Sequence, residues 1–524
     1  MNRHRTRKIA LIILLASITF PLLLFYQTLD DFVPKHIAMI MDVCANGKLI
    51  EGENDIIQIP GFYLLGAIIT IISGLSPEKL VSFPIQVIPY AAILFCLIYR
   101  ISDNSIVAGI ITFIDLSSGV NGTAKLFFWP HGIGYILFFL ITILVIDFIR
   151  NEFDKRVFLL IIVTGASLVF LSYNLAAWVF LLLAAISIIS AQLYIINKFL
   201  KLDNVKFYFD LTKKALTASV AILFVEMGLS RFVYGVFIPT LQSSQDLEIS
   251  ALEKFSIAYT NPDLSGVVLS PIMVHYPISI TIISAIKYGL LALVILGFCL
   301  FVGKKFYTDF KIDKINLVLI SVIVMQGLYA IPRLLIGGIV VTALWLPGIF
   351  SLARLPRISE HLRIWSVLVI LALLALTFVN YGIYSYEGSI DRVYYETDGY
   401  MESNNWFNEK TNAALFVSDE LTKNFKILYD SKMAAQSNNL NTNYNEVAMN
   451  SRRMSPDEAG VLAKLQDGAL NDNSYYVLNN RLSRMSLENW IVIQSWQKSD
   501  NVVTANPNVY KIYDNSLLSV YRPS

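Results

Sequence analysis

The sequence contains few cysteines and few charged residues. Its three cysteines, Cys44, Cys96 and Cys299, lie far apart in 524 residues, a spacing that excludes a disulfide framework and a cysteine-based zinc site. Charged residues make up 15% of the chain, and the formal net charge is only +2. The basic residues are dispersed over loops, so nothing in the sequence indicates a nucleic-acid partner.

Apolar residues, by contrast, are in excess. They make up 55% of the chain, whereas a soluble domain has roughly 45–50%. The excess falls in runs such as 290–302 and 364–379, which with their flanks are long enough to cross a bilayer. Residues 1–8 are basic and precede an apolar run that lacks a small-x-small cleavage site, which favours a retained signal anchor. The sequence therefore predicts a mainly α, multi-pass protein of the cell membrane.

Eleven transmembrane spans are predicted, with a tight turn at 331–333 between the ninth and the tenth. The spans are 9–26, 83–99, 106–120, 131–149, 157–173, 175–196, 215–230, 278–302, 315–330, 334–352 and 364–384.

A further apolar run, 60–72, is short and begins with Pro-Gly. If this run does not cross the membrane, every basic loop lies on the side of the N-terminus, and cytoplasmic loops are the ones enriched in Lys and Arg. We therefore expect it to be an interfacial or re-entrant helix on the outer face. The N-terminus is then cytoplasmic, and the outer loops are 27–82, 121–130 and 231–277.

The composition changes after residue 384, which divides the chain into a membrane module, 1–384, and a second part, 385–524. The second part is polar and rich in Asn, Ser and Asp. A small extracytoplasmic α/β domain is expected there. Its predicted strands are 412–419, 424–429, 474–479 and 490–494, and 456–465 has helical character.

Two adjacent carboxylates, Asp30 and Asp31, directly follow the first span, and His36 lies a few residues further on. Carboxylates at the end of a membrane helix cost free energy unless they are solvated, ion-paired or part of a functional site. A lone acid in this place is more often a solvated loop residue. Here an amphipathic stretch, 36–44, and the apolar segment Pro60-Gly-Phe-Tyr63 follow, and this context favours a functional role.

These features resemble the GT-C class of polyprenyl-phosphate-dependent glycosyltransferases. The pattern of that class is an acid just after the first span, often a following histidine, and an interfacial Pro-x-x-Tyr helix, matched here by Pro60 to Tyr63. In this chain four residues separate Asp31 from His36, more than in the commonest form, which leaves open which of the two aspartates is the acid of the class.

The C-terminal part extends the resemblance to a poorly characterised archaeal-type subgroup of that class. It is carried by Trp406-Phe, by Val417-Ser-Asp419 and by the ending Lys511-Ile-Tyr-Asp-Asn-Ser with a final Leu-Ser-Val-Tyr strand. The resemblance implies an inverting glycosyltransferase in contact with membrane lipid. Its donor would be a polyprenyl-phosphate-linked sugar, and its acceptor a glycan, a lipid or a protein on the outer face.

The chemistry of such a transfer suits these residues. A carboxylate at Asp31 or Asp30 can act as general base on an acceptor hydroxyl. Arg333, at the outer end of a span, offers a planar fork of donors for the carrier phosphate, although a snorkelling arginine that caps a helix would look the same. His36 could orient the carboxylate, touch the phosphate, or be a plain interfacial histidine.

The second outer loop adds weaker candidates. Trp129 is typical of a membrane-belt aromatic, His131 could line the cavity, and Asp115 is the only carboxylate near this loop. In some relatives a second acid there binds a metal or the acceptor. No cofactor is certain: Asp30, Asp31 and Asp115 could hold a divalent cation, whereas the histidines lack the spacing of a zinc site.

The alternative function is a transporter or flippase for a lipid-linked saccharide. Glu226 and Lys287 lie inside predicted spans on either side of the third outer loop. Mutual neutralisation is the simplest account of this pair, and an ion pathway is the account that would suit a transporter. Transporters tend to show repeated halves, and the sequence shows no such repeat.

Overall fold

The computed structural model describes most of the membrane module and parts of the C-terminal domain. The described residues are 3–25, 33–47, 60–82, 84–117, 125, 128–229, 278–310, 312–335, 341–358, 360–387, 402–403, 405–406, 415–417, 474–479, 509–514 and 518–523. Asp30 and Asp31, the third outer loop and the segments 424–429, 456–465 and 490–494 lie outside them.

The membrane module is helical throughout its described part. In chain order the helices are α1 Arg3–Phe25, α2 Val33–Asn46, α3 Pro60–Ser73, α4 Pro77–Ser82, α5 Val87–Ser102, α6 Ser105–Ser117, α7 Pro130–Arg150, α8 Lys155–Leu171, α9 Tyr173–Phe199, α10 Val205–Leu229, α11 Ile278–Asp309, α12 Lys314–Leu335, α13 Trp345–Ile358 and α14 Glu360–Glu387. A helix lies at each predicted span.

Four of the described helices are long and apolar enough to cross a membrane by length and composition: Pro130–Arg150, Leu175–Phe199, Ala285–Thr308 and Leu362–Val379. The count of eleven crossings stays a prediction. Large apolar side chains cover the outside of the bundle, among them Ile12, Leu159, Phe224 and Leu293, all more than 60% exposed. A soluble protein would bury such a surface, so these faces fit the hydrocarbon of a bilayer.

The ninth and tenth predicted spans have different limits in the structure. The helix predicted to end at 330 continues as α12 through Pro332 to Leu335, so 331–333 is not a tight turn. The next helix begins only at Trp345, after a short 3-10 segment, Val341–Leu344. Proline is tolerated in membrane helices where the surroundings satisfy the backbone groups that it frees.

The basic residues that flank the helices meet at one end of the bundle, which we call the basic end. Arg150, at the end of α7, donates from Nη2 to the carbonyl of Arg100 at 3.4 Å. Lys314, at the start of α12, donates to the carbonyl of Arg150, also at 3.4 Å. Arg354 donates from Nη1 to the carbonyl of Ile101 at 3.2 Å. The ends of α5 and α7, the start of α12 and the last part of α13 therefore lie together.

The N-terminal helix also starts at the basic end. A Cβ atom added to Gly109, in the second turn of α6, would lie 3.0 Å from Cγ2 of Ile13. Further along both helices, the rings of Phe20 and Phe113 are 5.5 Å apart. Since α6 starts at the basic end, directly after α5, α1 runs parallel to it from the same end.

The opposite end, which we call the far end, holds the starts of α5 and α7. The backbone N–H of Trp129, just before α7, donates to Oε1 of Gln86, just before α5, at 3.2 Å. A Cβ atom on Gly61, in the first turn of α3, would lie 2.8 Å from Cβ of Phe170, near the end of α8. The stretch from α3 to α5 thus begins and ends at the far end, and α3, with 14 residues, is only about 21 Å long at ~1.5 Å per residue.

The C-terminal part, 385–524, contains a four-stranded sheet in the order β1-β2-β4-β3. Its strands are β1 Leu415–Val417, β2 Ser474–Asn479, β3 Val509–Asp514 and β4 Leu518–Pro523. β1 and β2 are parallel, and the other two pairs are antiparallel. Within the predicted strand 412–419 the structure has a strand at 415–417, and it has the predicted strand 474–479 and the final strand. Trp406 stacks on Tyr513 of β3, with ring centroids 4.6 Å apart.

Candidate functional site

The two short helices that follow the first span are joined through His36 and Tyr63. Helix α2 buries His36, Ile37 and Ile40, as the amphipathic pattern predicts, and Ile40 packs against Gly66 of α3. Nδ1 of His36 and the hydroxyl of Tyr63 are 2.9 Å apart. His36 is 7% exposed and Tyr63 is fully buried, so this hydrogen bond is shielded from solvent. Two of the predicted site residues are therefore in direct contact.

Trp129 packs over the imidazole of His36. The ring centroids are 4.6 Å apart and the planes meet at 87°, an edge-to-face contact. Beside it Phe62 stacks on Phe128, with centroids 4.9 Å apart. Trp129 is only 9% exposed, so the expectation of a membrane-belt tryptophan is wrong. A belt residue was the more common case for an aromatic at the second outer loop, and the structure places this ring against α2 instead.

Asp115 is the centre of a second cluster at the far end. Trp345 donates from Nε1 to Oδ1 of Asp115 at 2.6 Å, and the hydroxyl of Tyr90 donates to Oδ2 at 2.9 Å. Nζ of Lys125 lies 3.1 Å from Oδ2 and donates to the backbone carbonyl of Asp115 at 2.7 Å. The cluster joins α5, α6 and α13 to the segment that leads into α7.

This cluster is buried and holds ionisable groups. Asp115 and Lys125 are 1% and 2% exposed. Burial lowers the pKa of Lys125, and the neighbouring Asp115 carboxylate opposes that shift. Lys287 of α11 is also buried, and its Nζ lies 5.4 Å from the ring centroid of Trp345. The expected pairing of Lys287 with Glu226 stays a prediction.

A divalent cation does not fit at Asp115 as the site is arranged. Both carboxylate oxygens accept hydrogen bonds from protein donors, and the ammonium of Lys125 already supplies the positive charge beside Oδ2. Within the described ranges, no group of three or more His, Cys, Asp or Glu residues could hold a metal ion. The role of Asp115 in binding substrate stays a prediction as well.

His131 and an aromatic chain extend the polar layer towards α9. Nδ1 of His131, in the first turn of α7, lies 3.4 Å from Oγ of Ser172. Tyr135, one turn further, is 6.3 Å from Tyr90 and 5.8 Å from Trp178, measured between ring centroids. The aromatic rings thus run from the Asp115 cluster to α9.

The remaining candidates cannot be placed at the level of side chains. Arg333 lies in the last turn of α12, and because α12 starts at the basic end, this turn points to the far end. Its side chain, like Asp30 and Asp31 as a whole, is outside the described part of the chain. The structure thus joins His36 to Tyr63, places His131 beside Ser172 and places Asp115 in a separate cluster.

Sequence reasoning missed the donors that surround Asp115. Tyr90 and Trp345 lie in apolar runs and look like ordinary core or belt aromatics, and Lys125 is the one lysine of the loop 121–130. One signal was available. A carboxylate inside an apolar helix needs donors, so Asp115 itself predicts buried partners, although not which ones.

Comparisons with known proteins identify no family. No protein-family model matches the sequence, and no curated protein matches it. Among solved structures, the chain is similar to the Archaeoglobus fulgidus oligosaccharyltransferase tethered with an acceptor peptide, at 11% identity and a TM-score of 0.48, covering 100% of this chain and 74% of that one. The apo form of the same enzyme gives 12% identity, a TM-score of 0.49 and coverages of 94% and 71%. Likenesses this distant assign neither a family nor a function.

Proposed function

We propose that this protein is a membrane glycosyltransferase of the GT-C type. It transfers a sugar from a polyprenyl-phosphate-linked donor to an acceptor at the far end of the bundle. The observation that carries the proposal is the His36–Tyr63–Trp129 contact. It builds a buried polar group into α2, which starts two residues after Asp31 in the sequence. A solvated loop with incidental acids would have no need of such a structure.

The charge distribution supports an outward-facing site. Cytoplasmic loops are rich in Lys and Arg, which makes the basic end cytoplasmic and the far end external. The N-terminus is then cytoplasmic. Helix α14 starts at the basic end directly after α13, so its last residue, Glu387, is at the outer face. The domain 385–524 is accordingly extracytoplasmic.

In the proposed reaction, Asp31, or else Asp30, removes the proton of an acceptor hydroxyl. The acceptor oxygen bonds to the anomeric carbon as the bond from that carbon to the phosphate oxygen breaks, and the configuration inverts. The proton goes to the carboxylate, and the polyprenyl phosphate leaves with the electron pair. Arg333 neutralises the phosphate, a group that its planar fork fits.

His36 acts as a positioning group in this proposal. Its Nδ1 is engaged by the Tyr63 hydroxyl, and in this proposal Nε2 is assigned to the reacting groups. If the hydroxyl donates to Nδ1, Nε2 carries the proton and can donate to a carboxylate or a phosphate. Tyr63 then selects the tautomer, as outer partners of histidine commonly do.

Asp115 takes part indirectly rather than as a ligand. Its carboxylate and its backbone carbonyl both contact the ammonium of Lys125. Lys125 stands four residues before Trp129, which packs on His36. Asp115 thereby positions the segment that closes the site. A divalent cation, if the reaction needs one, has Asp30 and Asp31 as its candidate ligands in this proposal.

The test is sugar transfer from a polyprenyl-phosphate donor by protein reconstituted in membranes. The Asp30→Asn, Asp31→Asn double variant should lose transfer by roughly 10²–10⁴-fold, the usual contribution of a general base. Asp103→Asn is the matched control, because this exposed carboxylate pairs with Arg357 at the basic end. Transfer at the wild-type rate by the double variant would reject the assignment and favour the transporter function.

A further inference from the structure

Helices α9 and α12 pack against each other, and each buries polar side-chain atoms that have no partner among the described residues. They are Nε1 of Trp178 and both polar atoms of the Gln326 side chain, Nε2 and Oε1. Gln326 is 3% exposed. A buried amide that makes none of its hydrogen bonds is costly, and in a native fold such a group calls for a ligand or a water that satisfies it.

Both side chains lie in the half of the bundle that contains the candidate site. Trp178 stands six residues beyond Ser172, so it lies about 9 Å along α9 from the far end at ~1.5 Å per residue. Its ring meets that of Tyr329 at 5.4 Å and 78°. Gln326 precedes Tyr329 by three residues and hence lies on the same face of α12.

The same aromatic rings connect this place with the Asp115 cluster. Tyr135 lies between Tyr90 and Trp178, in edge-to-face contact with both. Trp178 and Tyr329 are each only partly buried, so part of each side chain is not covered by the protein. Trp178 therefore belongs to a row of aromatic rings that leads to the Asp115 cluster.

The chemistry of this group suits a neutral ligand. The Gln326 amide offers two donors and one acceptor, and the indole of Trp178 adds a donor. Neither group is charged, so a carboxylate or a phosphate would find no counter-charge in them. Aromatic faces combined with an amide match a sugar ring, which has apolar C–H faces and hydroxyls that both donate and accept.

We propose that Gln326 and Trp178 bind the sugar ring of the lipid-linked donor, a neutral ring without carboxylate or phosphate. This assignment rests on the proposed function and names the substrate class of the same site. Gln326 would contact ring hydroxyls, Trp178 would donate from Nε1 to a sugar oxygen, and the ring of Tyr329 would cover the C–H face. The alternative is that an internal water, and no ligand, satisfies the two side chains.

The experiment compares binding of polyprenyl phosphate with that of polyprenyl-phosphate hexose to the full chain in nanodiscs. We expect Gln326→Leu and Trp178→Phe each to reduce the preference for the hexose-bearing carrier by about tenfold, the loss of one or two hydrogen bonds. Binding of the bare carrier should not change. Asn197→Leu is the control, since Asn197 is a second fully buried amide with a partnerless oxygen, nearer the basic end of α9.

A second measurement uses free neutral hexoses and thermal unfolding. Stabilisation by a hexose that disappears in Gln326→Leu and persists in Asn197→Leu supports the subsite. This result counts even if no carrier binds and the proposed function fails. If the carrier binds and both variants keep the wild-type preference, the subsite is wrong and the proposed function stands. Higher thermal stability of Gln326→Leu with unchanged ligand binding would identify an internal water instead. If free hexoses do not raise the thermal stability and the carrier does not bind, both the subsite and the proposed function are rejected.

Discussion

The indole nitrogen of Trp345 lies 2.6 Å from Oδ1 of Asp115, a residue 230 positions earlier in the chain. This hydrogen bond joins the start of α13 to the last turn of α6 in the interior of the bundle. With Tyr90 and Lys125 it gives one carboxylate three side-chain donors. The stability of the far end therefore depends on a buried charge.

Asp115→Asn should destabilise the protein strongly. The change leaves the Lys125 ammonium buried without its counter-charge, and removal of one partner of a buried pair costs about 3–5 kcal/mol. Unfolding in detergent with increasing temperature measures the effect. The double variant Asp115→Asn, Lys125→Met should recover much of the loss, because no charge is left behind. A double variant as unstable as the single one would show that the ion pair is not the cause.

Tyr63→Phe should change the titration of the transfer reaction. It removes the hydroxyl that engages Nδ1 of His36 and leaves the ring in place, with a loss of about 1 kcal/mol of stability. In the proposed mechanism the tautomer of His36 is then no longer selected, so the pH profile of kcat should shift while KM changes little. Tyr99→Phe changes an exposed tyrosine near the basic end of α5 and should leave the profile as in the wild type. An unchanged profile in Tyr63→Phe would remove His36 from the mechanism.

Gly61→Ala should push α3 away from α8. The new Cβ would lie 2.8 Å from Cβ and 3.1 Å from the carbonyl oxygen of Phe170, and the backbone cannot move aside as a flexible side chain can. Overpacking of this kind costs roughly 1–3 kcal/mol. Gly289→Ala is the matched change, since its Cβ would meet nothing within 4 Å, and it should be neutral or stabilising. Equal stability of the two variants would contradict the close contact of α3 with α8.

Single cysteines at Lys206 and Lys305 should react with a membrane-impermeant maleimide only from the cytoplasmic side, in a background without the three native cysteines. A cysteine at Glu78, in the short helix α4 near the far end, should react only from outside. The reason is the one-sided distribution of Lys and Arg. Reaction of Lys206→Cys from outside would invert the topology and move the proposed site to the cytoplasm.

Arg333→Ala should weaken donor binding more than it slows turnover. Loss of a charge-assisted hydrogen bond to phosphate costs about 1.5–3 kcal/mol, which is roughly a 10–150-fold rise in KM for the lipid-linked donor. Arg333→Lys should restore only part of the affinity, because a point charge does not replace the fork. If the KM for the donor is unchanged in Arg333→Ala, Arg333 does not bind the phosphate and is a helix-capping arginine.

The positions of the helices follow from the sequence because they depend on local properties. Runs of apolar residues mark the helices, and basic residues mark the loops that meet at one end, as Arg100, Arg150 and Lys314 do. The limits of α12 and α13 were harder to predict. Pro332 is the obvious break in that segment, yet a helix can continue through a proline where the surrounding fold satisfies the backbone.

The contacts of the site were decided by the tertiary structure alone. Hydropathy shows that a helix crosses the membrane, but it does not show which face of the helix meets which neighbour. The sequence placed Asp30, Asp31, His36 and Tyr63 in one loop by their order along the chain. Only the packing of the helices brings Trp129 over His36, Trp345 to Asp115 and Tyr329 to Trp178, because these contacts join segments that are separated by tens to hundreds of residues.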